Sequence, residues 1–124
     1  MPNILLNESD ASRQKLLRKR LREQGSHVWS LNRLHDAESR LGKRKFDLMI
    51  LDLDAQRIDD ITVLLEHCQK LPVLLQASGL DASLDFRCWI ADELVEKIET
   101  GDNVVAAVKK LLAPNRARKS HAGN

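Results

Sequence analysis

Phe46-Asp47-Leu48-Met49-Ile50-Leu51-Asp52-Leu53 carries the strongest strand signal in the chain. Its apolar residues are nearly continuous instead of alternating with polar ones. A strand that is apolar on both faces belongs in the middle of a parallel sheet covered by helices, because both of its surfaces must leave water. Asp52 follows the apolar run directly, which places a carboxylate at the carboxyl end of a central strand.

The segments on either side repeat one alternation. Ile4-Leu5-Leu6 reads as a first buried strand, and Ser9 or Asp10 is positioned to cap a helix whose inner face is Leu16, Leu17 and Leu21. Gly25 suits the end of that helix. His27-Val28-Trp29-Ser30 reads as a second strand, and Leu31, Leu34, Ala37 and Leu41 recur at helical spacing with Gly42 as the stop. After the central strand come a short amphipathic helix (Ile61, Leu64, Leu65, Cys68) and a fourth strand over residues 72–75 with Pro72 at its start. A short fourth helix is expected within 82–88, and Leu94-Val95 make a weak fifth strand. Behind Gly101-Asp102-Asn103, the stripe Val104, Val105, Val108, Leu111 and Leu112 marks a fifth helix. Strands alternating with helices in this way predict an α/β fold with helices on both faces of a parallel sheet. At this size the expected solution is the flavodoxin-like, doubly wound five-stranded order 2-1-3-4-5.

The chain has 124 residues, enough for one domain, assigned to residues 1–113. Residues 114–124 read as a basic flexible tail or the start of a linker. With 43% hydrophobic and 31% charged residues, a packed core under a wet surface is expected. No apolar run approaches the roughly 18 residues of a membrane span, and the first residues do not resemble a signal peptide. A cytoplasmic protein with no membrane partner is the expectation. Cys68 and Cys88 have no metal-ligand spacing and are expected to be reduced thiols.

In such sheets the chemistry sits beyond the carboxyl ends of the strands, near the switch in strand order. The residues there are Asn7, Glu8, Ser9 and Asp10 after strand one, Asp52 and Asp54 after strand three, Gln76, Ala77 and Ser78 after strand four, and Lys97 after strand five. Carboxylates from two strand ends with a lysine from a third suit a hard cation and a phosphoryl group.

In their order and spacing, Ile4-Leu5-Leu6-Asn7-Glu8-Ser9, residues 46–52, Leu71-Pro72-Val73-Leu74-Leu75 and residues 91–97 resemble the receiver domains of two-component response regulators (the CheY-like fold). The resemblance runs over residues 3–112. It implies a phosphorylation-dependent switch, not an enzyme, in which Asp52 accepts a phosphoryl group from a histidine kinase or phosphotransfer protein. It also implies a Mg2+ ion held by Glu8, Asp52 and the main-chain carbonyl of Asp54, with Lys97 pairing with the phosphoryl oxygens. The output face, for an effector or a homodimer, would be the fourth helix, fifth strand and fifth helix, with Glu93, Lys109 and Lys110 exposed to partners.

The sequence departs from the family at several positions. The acidic pair reads Glu8-Ser9, so one carboxylate is missing unless Asp10 replaces it. The phosphate-sensing hydroxyl position falls on Ala77, with Ser78 adjacent. The family's aromatic switch residue is Leu94, and the proline after the lysine is Ile98. Fewer carboxylates weaken cation binding. These losses leave a second reading open, a degenerate pseudo-receiver that serves as a phosphorylation-independent interaction or dimerisation module.

The first helix is basic (Arg13, Lys15, Arg18, Lys19, Arg20, Arg22), and Arg40, Lys43, Arg44 and Lys45 form a second patch. A net charge of +2 and the lack of interleaved aromatics argue against direct nucleic-acid binding, leaving a solvated helix face or an acidic protein partner. A nucleotide or flavin enzyme is disfavoured by the absence of glycine in residues 7–12 and of any nucleophile–base constellation.

Overall fold

The computed structural model describes residues 1–55, 58–67, 70–79 and 91–113. Five strands, β1 (Asn3–Leu6), β2 (His27–Ser30), β3 (Leu48–Asp52), β4 (Val73–Ala77) and β5 (Glu93–Glu96), form one sheet in the order β2-β1-β3-β4-β5. Every neighbouring pair is parallel. The order and sense are those expected from the alternation of elements.

All five residues of β3 are buried, as are all five of β4. Their side chains divide between two cores with the two-residue period of a strand. Leu5, Met49, Leu51, Val73 and Leu75 face one side, together with Ala37, Ile61, Leu64 and Leu65. Ile4, Leu6, Leu48, Ile50 and Leu74 face the other, together with Leu17, Leu21, Val104, Val105, Val108 and Leu111. The first core therefore lies under α2 (Ala37–Lys43) and α3 (Ile58–His67). The second lies under α1 (Ala11–Glu23) and α4 (Asp102–Leu112). Full burial of each large aliphatic side chain is worth about 1.5–3 kcal/mol, so these paired layers set the register of the sheet.

The caps explain where the helices begin. Asp10, not Ser9, caps α1; its side chain accepts from the amides of Ser12 and Arg13 at 2.9 and 3.3 Å. That leaves Ser9 free to point elsewhere. Gly25, at φ 94°, turns the chain out of α1 as its amide bonds Arg22 O. Gly101, at φ 77°, begins α4 in the left-handed region, with Leu17 packed against its α-carbon.

Some boundaries differ from the sequence reading. The third strand starts at Leu48 instead of Phe46; just before it, Asp47 donates its amide to Asn3 O and its side chain accepts the Asn3 amide, both at 2.8 Å. Leu31 lies in the loop after β2, a 3-10 turn occupies Leu34–Asp36, and α2 begins only at Ala37. Gly42 is inside α2 rather than ending it. The fourth strand starts after Pro72 and runs on to Ala77. The expected helix within 82–88, Cys68, Cys88 and the tail at 114–124 lie outside the described residues.

Among the described residues no helix is long and apolar enough to cross a membrane. The two basic patches are partly tied down. Arg18 donates to Ser30 Oγ, Arg20 pairs with Asp102 at 2.5 Å, and the Arg44 guanidinium stacks 3.6 Å from the centre of the Trp29 ring.

Candidate functional site

Three parallel strands deliver carboxylates and an amide to one rim of the sheet. Glu8 lies two residues past β1, Asp52 ends β3, and Gln76 sits in β4 beside Asp52 in the strand register. The first helix starts immediately after this rim, so its first turn overhangs the same pocket. Asn7 braces the floor: its side chain donates to Leu31 O at 2.9 Å and accepts the Asp52 amide at 3.2 Å.

Lys97, just past β5, closes the pocket. Its Nζ stands 3.2 Å from Glu8 Oε2, 2.9 Å from Asp52 Oδ1 and 3.2 Å from Asp54 Oδ2. Glu8, Asp52 and Lys97, far apart in sequence, thus converge on one point.

Asp52 has no exposed side-chain surface. Its Oδ2 accepts the Ser9 amide at 3.0 Å and the Ser9 hydroxyl at 2.6 Å, and its Oδ1 accepts the Asp54 amide at 2.9 Å. Burial alone pushes the Asp52 carboxyl up. The Ser9 hydroxyl, Lys97 and the two amides outweigh burial and hold it below the ordinary carboxylate value. Asp54 behaves likewise: burial raises it, but the Ser78 hydroxyl and amide and Lys97 lower it further. Burial lowers the Lys97 ammonium, and hydrogen bonding and attraction to Asp52, followed by the Glu8 charge and Asp54, raise it above the usual lysine value.

Two residues of this pocket carry roles that sequence reasoning did not assign. Arg13, counted among the surface bases of α1, turns inward. Its Nε lies 3.1 Å from Glu8 Oε1, Nη2 donates to Gln76 Oε1 at 3.2 Å, and Nη1 donates to Ile98 O at 2.6 Å. Gln76 is fully buried, and its Nε2 donates to Glu8 Oε1 at 3.0 Å. The available signal was Gln76 itself, a lone polar residue inside the apolar strand Val73-Leu74-Leu75-Gln76-Ala77, since a buried amide requires partners.

The remaining candidates divide. Ser78 donates its amide, at 3.1 Å, and its hydroxyl to Asp54. Ala77 is buried at the end of β4, where its carbonyl accepts the Lys97 amide at 2.7 Å. Asp10 is occupied by its capping role and does not join the acidic pocket.

The donor set can be tested against a divalent cation. Glu8 Oε1 accepts from Arg13 and Gln76, and Oε2 from the Asp10 amide and Lys97. Asp52 Oδ1 accepts from the Asp54 amide and Lys97, and Oδ2 from Ser9 twice. Each of these four oxygens already has two partners. Among the described residues no group of three or more His, Cys, Asp or Glu is arranged to hold a metal ion. As arranged, the pocket does not fit Mg2+: an incoming ion would have to displace built-in cations.

The whole structure resembles several solved ones. Response regulator protein TrrA from Thermotoga maritima, in complex with Mg2+-BeF, superposes with a TM-score of 0.78 at 24% identity, covering 90% of this chain and 100% of that one. The non-phosphorylated HemR receiver domain from Leptospira biflexa gives 0.79 at 23% identity, covering 94% and 98%. Chemotaxis protein CheY4 from Vibrio cholerae gives 0.75 at 13% identity, covering 90% and 99%. The fold is that of a response-regulator receiver domain. No family model and no curated protein matches the sequence. In a sheet of this order the rim beyond the carboxyl ends of the strands is where a pocket is expected, and the pocket formed by Glu8, Ser9, Arg13, Asp52, Gln76 and Lys97 lies there.

Proposed function

We propose that this receiver fold serves as a signalling switch in which Asp52 accepts a phosphoryl group from a histidine kinase or phosphotransfer protein. The observation that supports it most is the Lys97 ammonium 2.9 Å from the Asp52 carboxylate at the sheet rim. A carboxylate held ionised beside a fixed cation is a nucleophile with a counter-charge ready for an incoming phosphoryl oxygen. An Asp52 oxygen would form the new bond to phosphorus as the bond from phosphorus to the donor imidazole nitrogen breaks. The bonding pair stays on the imidazole, which is then reprotonated from solvent. Both Asp52 oxygens are covered, so the Ser9 hydroxyl must first swing off Oδ2. TrrA has also been seen bound to the histidine kinase ThkA, the kind of partner this reading calls for.

The product carries about −1.5 to −2 charges where a single one stood. Lys97 is the group that would follow the new charge, and its backbone is bonded to Ala77 at the end of β4. With alanine at that position, β4 has no side-chain hydroxyl to report the phosphoryl group. The output face would be β5 and α4, where Glu93 and Lys110 pair at 2.8 Å.

The test is incubation of the full chain with a phosphorylated histidine donor or a small acyl phosphate, followed by intact-mass analysis. A labile acyl-phosphate adduct lost in Asp52→Asn is expected. No adduct under conditions in which a control receiver domain is phosphorylated would overturn the reading. A second reading, a phosphorylation-independent docking module, is favoured by the filled pocket and by Ala77. It expects partner binding to survive Asp52→Ala with the fold intact.

A further inference from the structure

We infer that Arg13 is a built-in substitute for a bound cation, and that it closes the acidic pocket to divalent ions. The guanidinium is locked from three sides by Glu8, Gln76 and the Ile98 carbonyl. Only 11% of its side-chain surface is exposed, whereas Lys15, Lys19 and Arg22 of the same helix face solvent. Gln76 fixes the arrangement, because its amide donates to Glu8 through nitrogen and accepts from Arg13 through oxygen. This orients the guanidinium edge toward the carboxylate.

The charges make the consequence specific. Glu8, Asp52 and Asp54 carry three negative charges, and Lys97 and Arg13 carry two positive ones, leaving a net −1. Without Arg13 the cluster would stand at −2, and Glu8 Oε1 would lose its charged partner. Ligand charge sets much of the affinity of a hard cation for oxygen donors, so the same cluster without Arg13 is a much better Mg2+ site. Arg13 also fastens the segment after Lys97 to α1 through Ile98 O, so an ion that displaced it would disturb two elements at once.

The experiment is a titration of the full chain with Mg2+ by calorimetry and with Mn2+ by loss of the free-ion paramagnetic signal. Wild type, Arg13→Gln, Arg13→Ala, Arg13→Lys and the double variant Arg13→Gln/Glu8→Gln are compared, with circular dichroism as the folding check. Removal of the charge is expected to tighten binding by about tenfold or more. Arg13→Lys should stay close to wild type, and Glu8→Gln should abolish the gain. Wild-type binding as tight as that of the neutral variants would overturn the inference, as would a gain that survives Glu8→Gln. If neither neutral variant folds, wild type alone decides. Submillimolar Mg2+ binding with amide shifts confined to residues around Glu8 and Asp52 defeats the inference, and its absence supports it. The titration does not read phosphorylation of Asp52, so this inference and the switch reading can fail separately.

Discussion

Ser9 donates both its backbone amide, at 3.0 Å, and its hydroxyl, at 2.6 Å, to the same oxygen of Asp52. The residue that replaces an expected acid therefore stabilises the neighbouring carboxylate instead of repelling it. Charge-assisted hydrogen bonds of this length are the strong ones. Ser9→Ala removes the hydroxyl and keeps the amide. It should cost about 1.5–3 kcal/mol in urea unfolding and raise the Asp52 carboxyl toward its ordinary value. An unchanged midpoint together with an unchanged Asp52 titration by NMR would show that the hydroxyl contributes nothing.

Acidification should weaken the fold through Asp52 and Asp54. Both are held below the ordinary carboxylate value in the folded state, so the unfolded chain binds their protons first. Their contribution is present above the unfolded value of about 3.9 and is lost as pH falls through the folded values. Urea midpoints measured from about pH 6 down to pH 2.5 should fall, and Asp52→Asn should flatten the fall. Lys97 has the opposite sign. Its raised value stabilises the fold below about 10.4, and that contribution disappears as pH climbs past the folded value.

Lys97→Met leaves Glu8, Asp52 and Asp54 without their shared ammonium. Breaking a buried ion pair from one side costs about 3–5 kcal/mol. Adding Asp52→Asn should recover part of that loss, giving a favourable coupling in a double-mutant cycle. Simple additivity of the two losses would mean that Lys97 does not depend on Asp52.

Two glycines separate backbone strain from crowding. Gly25 and Gly101 both have positive φ, but a Cβ at Gly25 meets open space while one at Gly101 would lie 2.9 Å from Leu17 Cδ2. Gly25→Ala should cost about 1–2 kcal/mol, the left-handed penalty alone. Gly101→Ala should cost more, because the buried Leu17 must move. Thermal midpoints of the two variants test the order.

The central strand was legible because a strand buried on both faces needs an unbroken apolar run, and residues 48–51 supply one. Its parallel neighbours and the strand order followed from the alternation of elements, and the convergence of Glu8, Asp52 and Lys97 followed from that order. The second helix was less legible: Leu31, Leu34 and Ala37 kept helical spacing although they occupy a loop, a 3-10 turn and a helix start. Periodicity records which side chains turn inward, not which backbone carries them.

What the sequence determined by itself is the sheet, its two apolar layers and the rim on which the polar strand ends gather, because solvent exclusion acts through a repeating pattern that one chain displays openly. What only the tertiary structure decided is how the charges at that rim are shared. Arg13 looks like any other base of a cationic helix until Gln76 and the Ile98 carbonyl hold it over Glu8. An ion pair depends on distances of a few ångströms between segments remote in sequence, and no local pattern encodes those distances.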